Sequence, residues 1–88
     1  MSLSTKKVVL KFFNGRGDIP GSTNEEKMAC RYLDVGLLDS FGLVDMILEI
    51  EEKCGFRFEA EQMQSPEFRT IGGVIAISEK LVIEYSDA

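Results

Sequence analysis

Ser40-Phe41-Gly42-Leu43-Val44-Asp45-Met46-Ile47-Leu48-Glu49-Ile50-Glu51-Glu52-Lys53-Cys54 is the stretch from which the fold is read. Leu43, Ile47, Ile50 and Cys54 recur at i, i+4, i+7 and i+11, and Met46 widens that face, which is the period of an amphipathic helix. Fully burying Met46, Ile47 and Ile50 contributes about 1.5–3 kcal/mol each before the entropy cost. A second apolar row, Phe41, Val44 and Leu48, begins beside Ser40, while Asp45, Glu49 and Glu52 take the remaining surface. Gly55 ends the helix as a left-handed cap.

Upstream, Ser4 is a candidate N-cap for a first helix over about Thr5 to Phe13. Val8, Val9, Phe12 and Phe13 form its apolar face and Lys6, Lys7 and Lys11 its outside. Asn14-Gly15-Arg16-Gly17-Asp18 stops it; the adhesion-like Arg16-Gly17-Asp18 tripeptide reads as coincidence. A long connection follows to residue 38, with turn chemistry at Ile19-Pro20-Gly21-Ser22 and a short helical stretch from Thr23 reaching Arg31. Met28, Tyr32, Leu33 and Leu37 are expected to anchor it to the core.

Downstream, Phe56 and Phe58 pin a short extended link, and Glu59 to Met63 form a brief helix. Ser65-Pro66-Glu67 is a turn or helix start. Thr70 caps the last helix, whose buried face is Ile71, Val74, Ile75, Ser78 and Leu81, with small Ala76 and Ser78 allowing close packing. Gly72 and Gly73 each weaken its first turn by about 1 kcal/mol relative to alanine. The tail after Glu84 is expected to fray. These elements predict an all-α, small antiparallel four-helix bundle with three main helices, one short helix and a long first loop. It forms a single domain over 1–88 with its core at about 5–83.

Eighty-eight residues with 44% hydrophobic and 28% charged content suit one small globular domain. Met1-Ser2-Leu3 can be partly a cloning remnant. No apolar run or cleavable leader is visible, so the chain is expected to be cytoplasmic and monomeric. The net charge of −5 is unevenly spread. Residues 1–33 hold six basic and three acidic side chains, residues 39–67 eight acidic and two basic. An acidic middle disfavours nucleic acid and favours partners with basic docking surfaces. The chain has no histidine, which removes the commonest general base and metal ligand. Cys30 and Cys54 are too far apart for a Cys-x-x-Cys motif and read as reduced thiols, Cys54 as part of the core. No metal site and no catalytic residue are expected.

Ser40 stands at the mouth of the long helix, after a glycine-containing turn and between carboxylates. Such a hydroxyl is reachable by another enzyme. The run Asp34-Val35-Gly36-Leu37-Leu38-Asp39-Ser40-Phe41 resembles the attachment motif of acyl and peptidyl carrier proteins, and the likeness covers about Val8 to Leu81. The Ile50-Glu51-Glu52-Lys53 stretch and Phe68-Arg69-Thr70-Ile71 carry it further. The resemblance implies a helical bundle whose Ser40 carries a covalent 4'-phosphopantetheine arm, derived from coenzyme A, with an acyl or aminoacyl group held as a thioester. A phosphopantetheinyl transferase would supply the base and magnesium, Ser40 Oγ would attack the β-phosphate of coenzyme A, and Asp39 would orient the hydroxyl or the metal, with helix capping as the structural alternative for Asp39. The resulting phosphodiester would meet the free amides of a helix N-terminus.

The family likeness also makes Phe41, Val44, Asp45, Leu48, Glu49 and Glu52 a docking patch for loading, condensing and transfer enzymes. Phe41 is larger than the usual leucine or methionine, Gly42 replaces a polar residue and loosens the first helical turn, and Cys54 replaces a bulkier apolar one. The stretch Gln64-Ser65-Pro66-Glu67-Phe68-Arg69 is similar to that of specialised stand-alone carriers, including peptidyl and D-alanyl types, more than to that of housekeeping fatty-acid carriers; the cargo, and with it a fatty-acid, polyketide, nonribosomal peptide or D-alanyl pathway, stays open. The alternative is a non-catalytic helical interaction module in which Ser40 is only a helix N-cap.

Overall fold

The computed structural model describes residues 4–86. Met1-Ser2-Leu3 and the last two residues of the expected fraying tail lie outside the described residues.

Each helix begins where a side chain can satisfy a free backbone amide. The Ser4 hydroxyl accepts from the Lys7 amide at 3.2 Å and opens α1 (Thr5–Asn14), which runs one residue beyond expectation. Val8, Val9, Phe12 and Phe13 are buried, and Lys6, Lys7 and Lys11 are exposed, as their spacing requires. Thr23 caps α2 (Asn24–Met28), accepting from the Glu26 amide at 3.1 Å. That helix stops short of Arg31. The backbone is turned there so that the Cys30 carbonyl accepts from the Ile71 amide at 3.1 Å and Tyr32 enters the core.

The long helix α3 (Ser40–Cys54) ends at Gly55 with φ 77°, the left-handed cap expected of a glycine. Phe56 and Phe58 then bury their rings and α4 (Ala60–Met63) follows, capped reciprocally by Glu59 and Gln62. A 3-10 turn (Pro66–Arg69) leads into α5 (Ile71–Ser86), where the Thr70 hydroxyl accepts from the Gly73 amide at 3.0 Å. Among the described residues there is no strand.

The core is shared by every long element. α1 lies against α5 and α3, and α2 and the 3-10 turn lie against α5. Ile71, Val74, Ile75, Ser78 and Leu81 are all buried, the face expected for the last helix. Ala76 is exposed instead, so only Ser78 serves close packing; its hydroxyl is buried with no hydrogen-bond partner. Beyond Glu84, α5 continues to Ser86 with its last residues exposed, and the Tyr85 ring lies 6.3 Å from that of Phe56. Phe58 joins that group edge-on to both Phe56 and Phe68, with centroids 5.0 and 5.2 Å apart.

In the long connection, burial falls on a different set from the one expected. Tyr32 is completely buried and Met28 and Leu37 pack against the core, but Leu33 turns outward. Ile19, Cys30 and Leu38 are the residues buried in its place. A loop has no fixed side-chain period, so its pattern cannot tell inward from outward positions. Burial pushes the Cys30 thiol up; it also pushes up that of Cys54, with the Thr5 hydroxyl acting against it. Both are free thiols, Cys30 buried and Cys54 half-buried beside the core.

Gly72 and Gly73 do more than weaken a helical turn. A Cβ on Gly72 would lie 3.0 Å from the Met28 carbonyl oxygen, and one on Gly73 would overlap the Glu67 carbonyl oxygen. Their hydrogens let α2 and the 3-10 turn close onto the start of α5. At an unconstrained helical site Gly→Ala stabilises by about 1 kcal/mol. Gly73→Ala is expected to do the reverse, destabilising by about 1–3 kcal/mol through overpacking, read as a lower urea midpoint at unchanged slope.

The buried Tyr32 hydroxyl donates to the Phe68 carbonyl, and burial pushes its pKa up. An acid whose folded pKa lies above its unfolded value keeps its full stabilising effect below the unfolded pKa and loses it as pH rises. Stability should therefore fall above about pH 10, where the unfolded tyrosine ionises and the folded one does not. Tyr32→Phe should weaken this alkaline decline while lowering stability at pH 7 by about 1–3 kcal/mol, since Phe68 loses its donor. Urea titrations at several pH values measure both effects.

Candidate functional site

The segment before α3 is built to present its first residue. The Arg31 carbonyl accepts from the Val35 amide at 3.1 Å, Gly36 turns the chain at φ 77°, and the Leu38 amide returns to the Tyr32 carbonyl at 3.1 Å. Leu38 is thereby driven into the core, and the two residues after it emerge at the surface. Gly42 is buried at this junction, where a Cβ would stand 3.2 Å from Leu38 Cδ2 and 3.4 Å from Asp39 Oδ1. The glycine expected to loosen the first turn instead lets Leu38 pack beneath it.

Asp39, not Ser40, caps the helix. Its Oδ1 accepts from the Gly42 amide at 2.8 Å, and its own carbonyl accepts from the Leu43 amide at 2.9 Å. Ser40 is the first helical residue and is exposed. The reading of Ser40 as an ordinary N-cap is therefore corrected. A serine and an aspartate side by side are equally good caps in sequence, and only backbone geometry decides which residue precedes the helix. The Ser40 hydroxyl is left unengaged by capping, beside amides that the helix itself cannot satisfy. That is donor chemistry suited to an anionic group esterified at this oxygen.

The other expected site residues follow α3 outward. Phe41 is 83% exposed, Val44 53% and Leu48 58%, so the second apolar row does not enter the core. Asp45 and Glu52 are exposed and Glu49 is half-buried. At about 100° per residue, Phe41, Val44, Asp45, Leu48 and Glu52 share one arc of the helix, and Glu49 flanks it. Leu48 and Glu52 also border a shallow depression of about 410 Å³ with Glu51, Phe56 and Arg57. Glu51 itself is structural, its Oε2 accepting from the Phe58 amide at 2.8 Å.

Two features were missed in the sequence. Val35 is 55% and Leu33 40% exposed, so the loop adds apolar surface in front of Ser40. Arg16, dismissed as part of a chance tripeptide, reaches Asp45 at 3.2 Å and stacks 4.7 Å above the Phe12 ring. The basic excess of the N-terminal third was the one available hint of such a pair. Among the described residues no group of three His, Cys, Asp or Glu side chains is placed to hold a metal, and no helix is long and apolar enough to cross a membrane.

The capping assignment can be tested directly. Asp39→Ala should cost about 0.5–2 kcal/mol of stability, whereas Ser40→Ala should stay within about 0.5 kcal/mol of the parent. Equal losses in thermal or urea unfolding would contradict it.

No protein-family profile matches the chain, and no solved structure matches it. Among curated proteins it is similar to D-alanyl carrier protein 1 of Lactiplantibacillus plantarum. The two are 30% identical over 77 residues, an alignment spanning 88% of this chain and 92% of the relative. With a helical bundle and a near full-length relationship to a carrier protein, the chain belongs to the phosphopantetheine-binding family of acyl and peptidyl carrier proteins.

Proposed function

We propose that this chain is a carrier unit which holds an acyl or aminoacyl group as a thioester and passes it between biosynthetic enzymes in the cytoplasm. The observation that carries this reading is Ser40, exposed as the first residue of α3 and released from capping by Asp39. A 4'-phosphopantetheine arm, when attached at Ser40, supplies the thiol that bears the cargo. Ser40 provides the attachment oxygen. Asp39 fixes the helix start through its cap on the Gly42 amide. The first amides and the dipole of α3 favour the negative phosphodiester.

The chain itself is not proposed to catalyse the transfer. With no histidine it lacks the ordinary base for activating a serine, so the chemistry belongs to the enzymes it visits. Phe41, Val44 and Leu48 offer apolar area, and Asp45, Glu49 and Glu52 offer charge, to a phosphopantetheinyl transferase and to loading and condensing or transfer enzymes with basic surfaces. The name of the relative makes an aminoacyl cargo, D-alanyl, the first to test.

Intact mass spectrometry after incubation with coenzyme A, magnesium and a broad-specificity phosphopantetheinyl transferase should show the gain of one phosphopantetheine. Ser40→Ala should show none. A wild-type chain left unmodified by several competent transferases would overturn the assignment.

A further inference from the structure

Asp45 stands on the exposed arc of α3, yet its carboxylate is already engaged by Arg16 of the same chain at 3.2 Å. The guanidinium is positioned from the end of α1. The Arg16 amide donates to the Phe13 carbonyl at 3.0 Å in the turn that closes α1, and its side chain lies over the Phe12 ring. The partners are 29 residues apart, so this is a contact between elements and not a routine pair within one helix. On the loop before Ser40 a second, local pair forms, with Arg31 3.4 Å from Asp34 three residues on. Among the described residues, Glu49 and Glu52 form no ion pair. Glu49, half-buried, shares a shallow depression with Lys11, Arg16 and Lys53, so the α3 face is paired from within at Asp45, shaded by the chain's own cations at Glu49 and exposed at Glu52.

Building on the carrier reading, we propose that Arg16 is an internal counterion which a basic partner must displace from Asp45 in order to seat on α3. That makes Arg16 a specificity-determining residue. It disfavours partners that place a lysine or arginine opposite Asp45 and spares those whose cations meet the exposed Glu52. The energetics suit a graded selector. Both side chains are substantially exposed, 39% and 59%, so the pair is weak, screened by salt and displaceable. Arg16 also borders the cleft formed by Gly36, Leu37, Leu38, Asp39 and Gly42, so the competition takes place next to Ser40.

The test measures binding to a broad-specificity phosphopantetheinyl transferase in the Ser40→Ala background, where no arm can be attached. At low ionic strength Arg16→Gln should tighten the dissociation constant roughly two- to fivefold, the range of a weak surface pair. Arg16→Lys should stay near the parent value, and Asp45→Asn should weaken binding. Adding Arg16→Gln to Asp45→Asn should change nothing further, since the pair is already broken. Unchanged or weaker binding by Arg16→Gln overturns the proposal. So does tightening that persists without Asp45, which would reflect net charge alone, and so does the absence of measurable binding. A wild-type chain that acquires the arm while its affinity ignores Arg16 keeps the carrier function and loses only this inference.

Discussion

The start of α3, where Ser40 is exposed, depends on how residues 30–38 are tied to the start of α5 and the 3-10 turn before it. The Cys30 carbonyl meets the Ile71 amide, the Tyr32 hydroxyl meets the Phe68 carbonyl, and the Tyr32 carbonyl meets the Leu38 amide. The Phe13 ring lies 5.1 Å from that of Tyr32, whose hydroxyl bond is buried and so escapes competition from water. With Leu38 held in the core, the next residue has one direction in which to leave, and Asp39 begins α3. A long loop would ordinarily deliver a surface residue imprecisely. Here it is a strap with two buried anchors, and its last turn is as well specified as the helix it enters.

The same closeness explains the glycines. Gly73 allows the Glu67 carbonyl to approach the backbone of α5, and Gly42 allows Leu38 to lie beneath the first turn of α3. Helix propensity disfavours both residues at these places, by about 1 kcal/mol each, and tertiary approach outweighs it. Glycine here marks where two segments touch through their backbones.

α3 divides its apolar residues between two tasks. Met46 and Ile50 are fully buried, and Leu43, Ile47 and Cys54 lean on the core. Phe41, Val44 and Leu48 remain in water, which costs hydrophobic free energy in the free chain and makes sense where another surface covers them. Charge is arranged around that row with the same economy. Arg16 and Arg31 come from the basic third of the chain and moderate an acidic face that the central segment supplies.

The starts of the long helices, the caps at Ser4, Gly55 and Thr70, and the buried faces of α1 and α5 were legible in the sequence. The reason is that a cap is a local hydrogen bond and a helical face a local period. The serine at the helix mouth was legible for the same reason, together with the motif around it. Capping was open to both Asp39 and Ser40, and the sequence did not choose between them, because two adjacent capping residues differ only in backbone dihedrals. Nor was the exchange of Leu33 for Ile19, Cys30 and Leu38 in the core legible, since an irregular segment has no repeat to read. The overlap awaiting a side chain at Gly73 and the pairing of Arg16 with Asp45 also required the folded chain. Sequence alone determined which segments are helical and which stripe of each is apolar. The tertiary structure decided which loop residues turn inward, which glycines mark contact, and which acids remain open, because each depends on what arrives from a distant part of the chain.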